Sequence, residues 1–126
     1  MIAIIEEPIL PQQVLDSLKI SASGSVVMHI GIVRPSLQGK SVVSIEYKAA
    51  RSEGQQELSR IAAEIRASCE IEDIALCRRT GKFNLRDAIL AAAVAAPHRK
   101  EAFKACGQAV ERMRNMASVK KKETVE

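Results

Sequence analysis

The stretch that most limits what this chain can fold into is AILAAAVAA, Ala88 to Ala96. Alanine favours helix, whereas a short, bounded apolar run also suits a buried strand. Periodicity does not separate the two. The run's place between a turn-forming segment and Pro97 favours the strand. With 126 residues, the chain suits one compact domain, residues 1–126, with a modest core. The only aromatic residues are Tyr47, Phe83 and Phe103, so packing rests on Ile, Leu, Val, Ala and Met.

The flanking sequence supplies the other elements. IAIIE (Ile2 to Glu6) reads as a short strand. PQQVLDSL (Pro11 to Leu18) reads as a short helix with proline in its first turn. SGSVVMHIGIVR (Ser23 to Arg34) is β-rich, PSLQGK reads as a loop, and SVVSIEYKAA alternates as a second strand. Ser52 followed by Gln55 fits a capping box, and Leu58, Ile61, Ala62, Ile65 and Cys69 recur at helical spacing. IEDIALCRR returns to strand character, and TGKFNLRD carries Gly81 and Asn84 as turn residues. In the last helix, Ala102, Phe103, Cys106, Ala109, Val110, Met113 and Met116 form one apolar stripe. This alternation predicts an α/β or α+β domain, with strand pairing left open.

Composition narrows the function classes. At 47% hydrophobic residues the chain is not a disordered one, although the last few residues read as loose. No apolar run reaches the roughly 18 residues of a membrane span. The start MIAIIEEP carries acids in place of a basic signal flank, which predicts a cytoplasmic protein. Charge is uneven: 7 basic against 10 acidic residues up to Cys77, then 12 against 5 from Arg78 onward. A basic half predicts an anionic partner. With so few aromatics to stack bases, a small anion or an acidic protein is favoured over nucleic acid. Cys69, Cys77 and Cys106 form no CxxC and are odd in number, which speaks against a disulfide framework or a zinc site. Buried, inert thiols fit better.

Three places carry candidate chemistry. His98 and Arg99 fall in the first turn of the last helix, where free N–H groups and the helix dipole favour an anion. Arg99 adds a planar fork suited to phosphate, and His98 can donate a hydrogen bond or shuttle a proton. Arg34 leaves a strand ahead of a loop containing Pro35 and Gly39. SVKKKETVE is a lysine run near the end of the chain. Taken singly, each also fits a plain surface: a solvated helix start, a strand exit, a solvated tail.

Together they resemble the large, catalytic subunit of molybdopterin synthase, MoaE-like, over nearly the whole chain. That family's Phe-x-Gly-x-Val-Arg is matched by HIGIVR, with His29 in the phenylalanine place. IEYKAA echoes its Leu-Glu-Tyr-Glu-Ala-Tyr-like stretch, and RRTG stands for its His-Arg-x-Gly. Its Ala-His-Arg-x-x-Ala-Phe appears, without a gap in spacing, as PHRKEAF, and its Trp-Lys-Lys-Glu as KKKE.

The resemblance implies an α+β fold, an α/β hammerhead with an additional antiparallel β subdomain. It implies a sulfurtransferase that converts cyclic pyranopterin monophosphate to molybdopterin. The sulfur arrives as a thiocarboxylate on the C-terminal Gly-Gly of a small ubiquitin-like subunit. A central homodimer with a small subunit at each end is implied, with no cofactor, no metal, no nucleic acid and no membrane. Carried over by residue, Arg34, His98 and Arg99 bind substrate, and Lys121 is the catalytic lysine. Arg114 stands where the family has a second functional lysine; it keeps the charge but is effectively never deprotonated. Lys120 replaces the tryptophan before Lys121, and Ser118 replaces a proline, both changes that remove rigidity from this segment. Lys120 also adds a charge that lowers the pKa of Lys121 if the two ammonium groups are close. These departures leave an alternative: a family member that has lost catalysis and binds a sulfur carrier or a ligand.

Overall fold

The computed structural model describes residues 1–34, 36–37 and 40–125, with 36–37, 40–43 and 123–125 described by their backbone. In chain order the elements are β1 (Ile2–Ile5), α1 (Pro11–Asp16), β2 (Ser25–Ile32), β3 (Ser36–Leu37), β4 (Lys40–Lys48), α2 (Arg51–Ser68), β5 (Asp73–Arg79), β6 (Gly81–Phe83), β7 (Ala88–Ala96), α3 (Arg99–Arg114) and β8 (Lys120–Val125).

The alanine-rich run is strand β7. It lies inside a sheet of order β1-β5-β7-β2, with β1 parallel to β5 and the other pairs antiparallel. Leu90, Ala92 and Val94 face α2 and α3 and pack with Leu58, Ile61, Ala105 and Ala109. Ala91, Ala93 and Ala95 face the other way, against Ile9, Val14 and Leu18 around α1. Both faces are covered, so the strand has no polar alternate positions, and Ala91 to Ala96 are 0% exposed. Small side chains on β7 and on the facing side of α3 (Ala102, Ala105, Ala109) let helix and sheet approach closely.

A second, antiparallel sheet is centred on β4. It pairs with β3 at one end, with β6 through residues 45–47, and with β8 along most of its length. Val33, Ile45, Tyr47, Phe83 and Ile89 form its own small core. A mixed α+β domain with a separate antiparallel β unit results, as the resemblance implied.

Several local expectations are corrected. PSLQGK was expected as a loop, but Ser36 and Leu37 pair with Ser41 and Lys40 as a hairpin. Pro35, Gln38 and Gly39 lie outside the described residues. TGKFNLRD yields the short strand β6 before a turn at 84–87, where Arg86 takes a φ of 73°. The lysine run, exposed as expected, is nevertheless not a loose end: it is strand β8, its Lys122 directly opposite Glu46 of β4, with Glu126 outside the described residues. These strands escaped a periodicity reading because they are short and polar and exist only through β4.

The capping box is also absent. Ala50 is the N-cap of α2, with no side-chain cap bond. Gln55 instead accepts from the Ile4 N–H at 3.3 Å and donates to the Ile2 carbonyl at 2.6 Å. It thus satisfies backbone groups on the outer edge of β1, an edge that would otherwise stay unpaired. Phe103 leaves the expected stripe of α3: it is 65% exposed, while Ala102, Ala105, Cys106, Ala109 and Met113 turn inward. Among the described residues no helix is long and apolar enough to cross a membrane.

Candidate functional site

Where the two sheets meet, a cavity of about 390 Å³ opens. Its cations are Arg34, Arg78, Arg114 and Lys121; His29, Tyr47 and Leu90 complete the walls used below. No carboxylate lines it among the described residues. Charge of one sign in a cleft with apolar walls focuses the field on an anion.

Each cation is placed by a different part of the fold. Arg34 follows Val33, which is buried and fixed on both sides: its N–H donates to the Asp87 carbonyl at 3.0 Å and its carbonyl accepts from the Arg86 N–H at 3.0 Å. The turn with the left-handed Arg86 therefore anchors the exit of β2. Arg114 is the last residue of α3, where a cation also suits the helix dipole. Lys121 sits in β8 directly opposite Tyr47 of β4. Successive residues of a strand point to opposite faces, so Lys121 lines the cavity while Lys120 does not.

Ser118 does not leave the segment loose either. Glu57 of α2 accepts from the Ala117 and Ser118 N–H groups, both at 2.9 Å, and from Ser118 Oγ at 2.5 Å. Burial works against the Glu57 charge. The bonds from Ser118 and Ala117, helped by Arg60, outweigh it and hold the carboxyl below its ordinary value. A carboxylate clamp does here what a proline does by stiffness.

Arg78 was not singled out as a site residue, although it belongs to the RRTG motif. It is 3% exposed, and its guanidinium carbon lies 4.5 Å from the centroid of the Tyr47 ring. Its Nε has no hydrogen-bond partner among the described residues. Burial pushes its pKa down, Tyr47 opposes this, and neighbouring Arg114 adds to it. A buried arginine in a strand read otherwise as apolar (DIALCRR) was the available signal.

His98 and Arg99 stand apart from this group. His98 is the N-cap of α3, without a side-chain cap bond, and both side chains are exposed. Neither lines the cavity. α3 has 16 residues, so Arg99 lies about 22 Å from Arg114 along the helix axis. Pro97, just before them, is held by Gly24, whose N–H donates to its carbonyl at 3.3 Å. A Cβ on Gly24 would come within 2.9 Å of that oxygen, so only glycine fits without a shift.

The cysteines are all buried and free, and none lines the cavity. Burial, with the Glu7 charge nearby, pushes the Cys77 thiol up to about 11, and burial raises Cys106 as well. Neither is a thiolate at neutral pH. No group of three or more His, Cys, Asp or Glu able to hold a metal ion occurs among the described residues.

The sequence profile of the family described as MoaE protein matches residues 4–116. The chain belongs to the MoaE family. The molybdopterin synthase catalytic subunit of Halalkalibacterium halodurans is 32% identical over 96% of this chain and 78% of its own. The crystal structure of molybdopterin synthase from Staphylococcus aureus superposes with a TM-score of 0.92 at 30% identity, over 99% of this chain and 91% of that one. A protein–protein complex of subunit 1 and 2 of molybdopterin-converting factor from Helicobacter pylori contains the same fold. Its TM-score is 0.74 at 11% identity, over 98% of this chain and 84% of that one. The relatives of this MoaE chain are thus catalytic subunits of molybdopterin synthase, and it shares their fold along nearly its full length.

Proposed function

We propose that this MoaE chain is a working sulfurtransferase, with its cavity as the place where sulfur is transferred. The observation that carries this is the meeting of Arg34, Arg114 and Lys121, three cations from distant parts of the sequence, in a cavity lined by no carboxylate among the described residues. Both reactants are anions: a cyclic pyranopterin monophosphate, and the thiocarboxylate ending a small ubiquitin-like carrier's Gly-Gly tail. Arg34 and Arg114 hold negative oxygens through forked N–H groups. Lys121 moves the proton while the thiocarboxylate sulfur bonds to a pterin carbon and a water oxygen replaces it on the acyl carbon, leaving the tail a carboxylate, and the cations around it stabilise the oxyanion that develops there. The setting is cytoplasmic, and residues 1–126 act as one domain. Arg114 takes no part in proton transfer, since a guanidinium does not give up its charge.

His98 and Arg99 lie outside their own protomer's cavity, so in this reading they serve the cavity of a partner protomer in a homodimer. Mixed dimers of Lys121→Ala and Arg99→Ala protomers then regain activity through one intact cavity. If each protomer works alone, mixing restores nothing.

Reconstitution with precursor and thiocarboxylated carrier tests the reading. Molybdopterin forms with the natural chain, and Lys121→Ala lowers its rate by about 10²–10⁴-fold, the usual span for a lost acid–base group. A tight carrier complex that yields no product would instead establish a binding module. In that case a large gain with Arg114→Lys would trace the loss to the missing second amine.

A further inference from the structure

We infer that Arg78 is the innermost anion-binding group of the cavity, gripping one oxyanion through its Nε and the adjacent Nη. The family motif does not supply this role, because RRTG carries arginine where the motif carries histidine. The inference rests on the anion-binding reading of the cavity and goes further by naming its deepest contact.

Three observations carry it. First, burying a guanidinium is costly unless its N–H groups are paired, yet Arg78 is 3% exposed with an orphaned Nε among the described residues. Second, Arg114 is close enough to disfavour the Arg78 charge, and no carboxylate lines the cavity among the described residues to offset either cation. An anion entering the cavity relieves both conditions at once. Third, the Tyr47 ring lies against the guanidinium at 4.5 Å and fixes its plane. A fixed plane presents Nε–H and one Nη–H side by side, the geometry that matches two oxygens of a carboxylate or phosphate.

Such an oxyanion has two sources, the phosphate of the pterin substrate and the terminal carboxylate of the carrier tail. Inorganic phosphate represents the first and N-acetyl-glycylglycine the second. Each is titrated into the full chain while the arginine ¹⁵Nε–¹Hε resonances are followed, the Arg78 signal being assigned by its loss in Arg78→Lys. The Arg78 signal is expected to shift saturably with at least one probe, and the probe that moves it names the source. Arg78→Met is expected to weaken that probe at least tenfold while leaving the urea midpoint unchanged or raised. A merely structural arginine predicts the opposite pattern: lower stability and unchanged probe binding.

A stationary Arg78 signal with both probes overturns the inference, whatever the behaviour of the variants. If the Arg34 and Arg114 signals still respond, the anion-binding cavity stands without Arg78. If no cavity signal responds and reconstitution yields no molybdopterin, the reading of the cavity itself fails. Should Arg78→Met not fold, the titration of the natural chain decides alone.

Discussion

The two sheets of this molecule solve opposite problems. The sheet of β1, β5, β7 and β2 is covered by helices on both faces; of its inner strands, β7 is wholly apolar and β5 is apolar between its charged ends. The sheet around β4 has a small core of its own, and one side of it carries Tyr47 and Lys121 toward the cavity. The first gains stability from burial and holds no reactive group in the cavity apart from His29 and Arg78, both near its seam with the second sheet. The second gives up burial to gather charge. Arg78 lies on the border: its backbone belongs to the first sheet and its side chain to the chemistry of the second.

The largest effect expected on the stability side belongs to the first sheet. Leu76 is 0% exposed at the centre of β5. Truncating it as Leu76→Ala removes buried methyl groups and leaves a cavity, a loss of about 2–5 kcal/mol. That is a large part of the roughly 5–15 kcal/mol that holds a domain of this kind together. Urea unfolding measures it directly. Lys121→Ala, on an exposed position of the second sheet, should cost far less, about 0.5 kcal/mol. Equal losses from the two variants would end the division of labour between the sheets.

What was legible in the sequence follows the same division. The buried face of α2, the burial of the cysteines and the choice of strand for AILAAAVAA all rest on local pattern, and the first sheet is built from such patterns. β3, β6 and β8 are short and polar; what makes them strands is pairing with β4, next in the chain for β3 and far away in sequence for β6 and β8. The capping box failed for a related reason, since Gln55 bonds better to β1, more than fifty residues earlier, than to its own helix start. At the site, motif resemblance reached Arg34, Arg114 and Lys121, which the fold brings together. The same resemblance pointed to His98 and Arg99, which one protomer keeps at the far end of α3. Arg78 and Tyr47 were missed because their role rests on burial against each other, at which an arginine within the apolar run of DIALCRR only hints.

A smaller effect tests how the first sheet's helices hold the second sheet's catalytic strand. Glu57 on α2 accepts three hydrogen bonds from Ala117 and Ser118, immediately ahead of β8. Glu57→Gln keeps the shape but leaves one acceptor oxygen where there were two and removes the charge. The group is half-exposed, so solvent screening holds the expected loss to about 1 kcal/mol. The sign with pH follows from the lowered folded-state pKa. The carboxylate's contribution is fully present above the unfolded value of 4.5 and is lost as pH falls through the lower folded value. Natural chain and variant therefore differ at pH 7 and converge below that range, as paired urea titrations at several pH values would show. Molybdopterin formation in the variant should fall more than its stability does, by about tenfold, because Lys121 is displaced rather than removed. A variant as active as the natural chain would mean that β4 pairing alone positions Lys121.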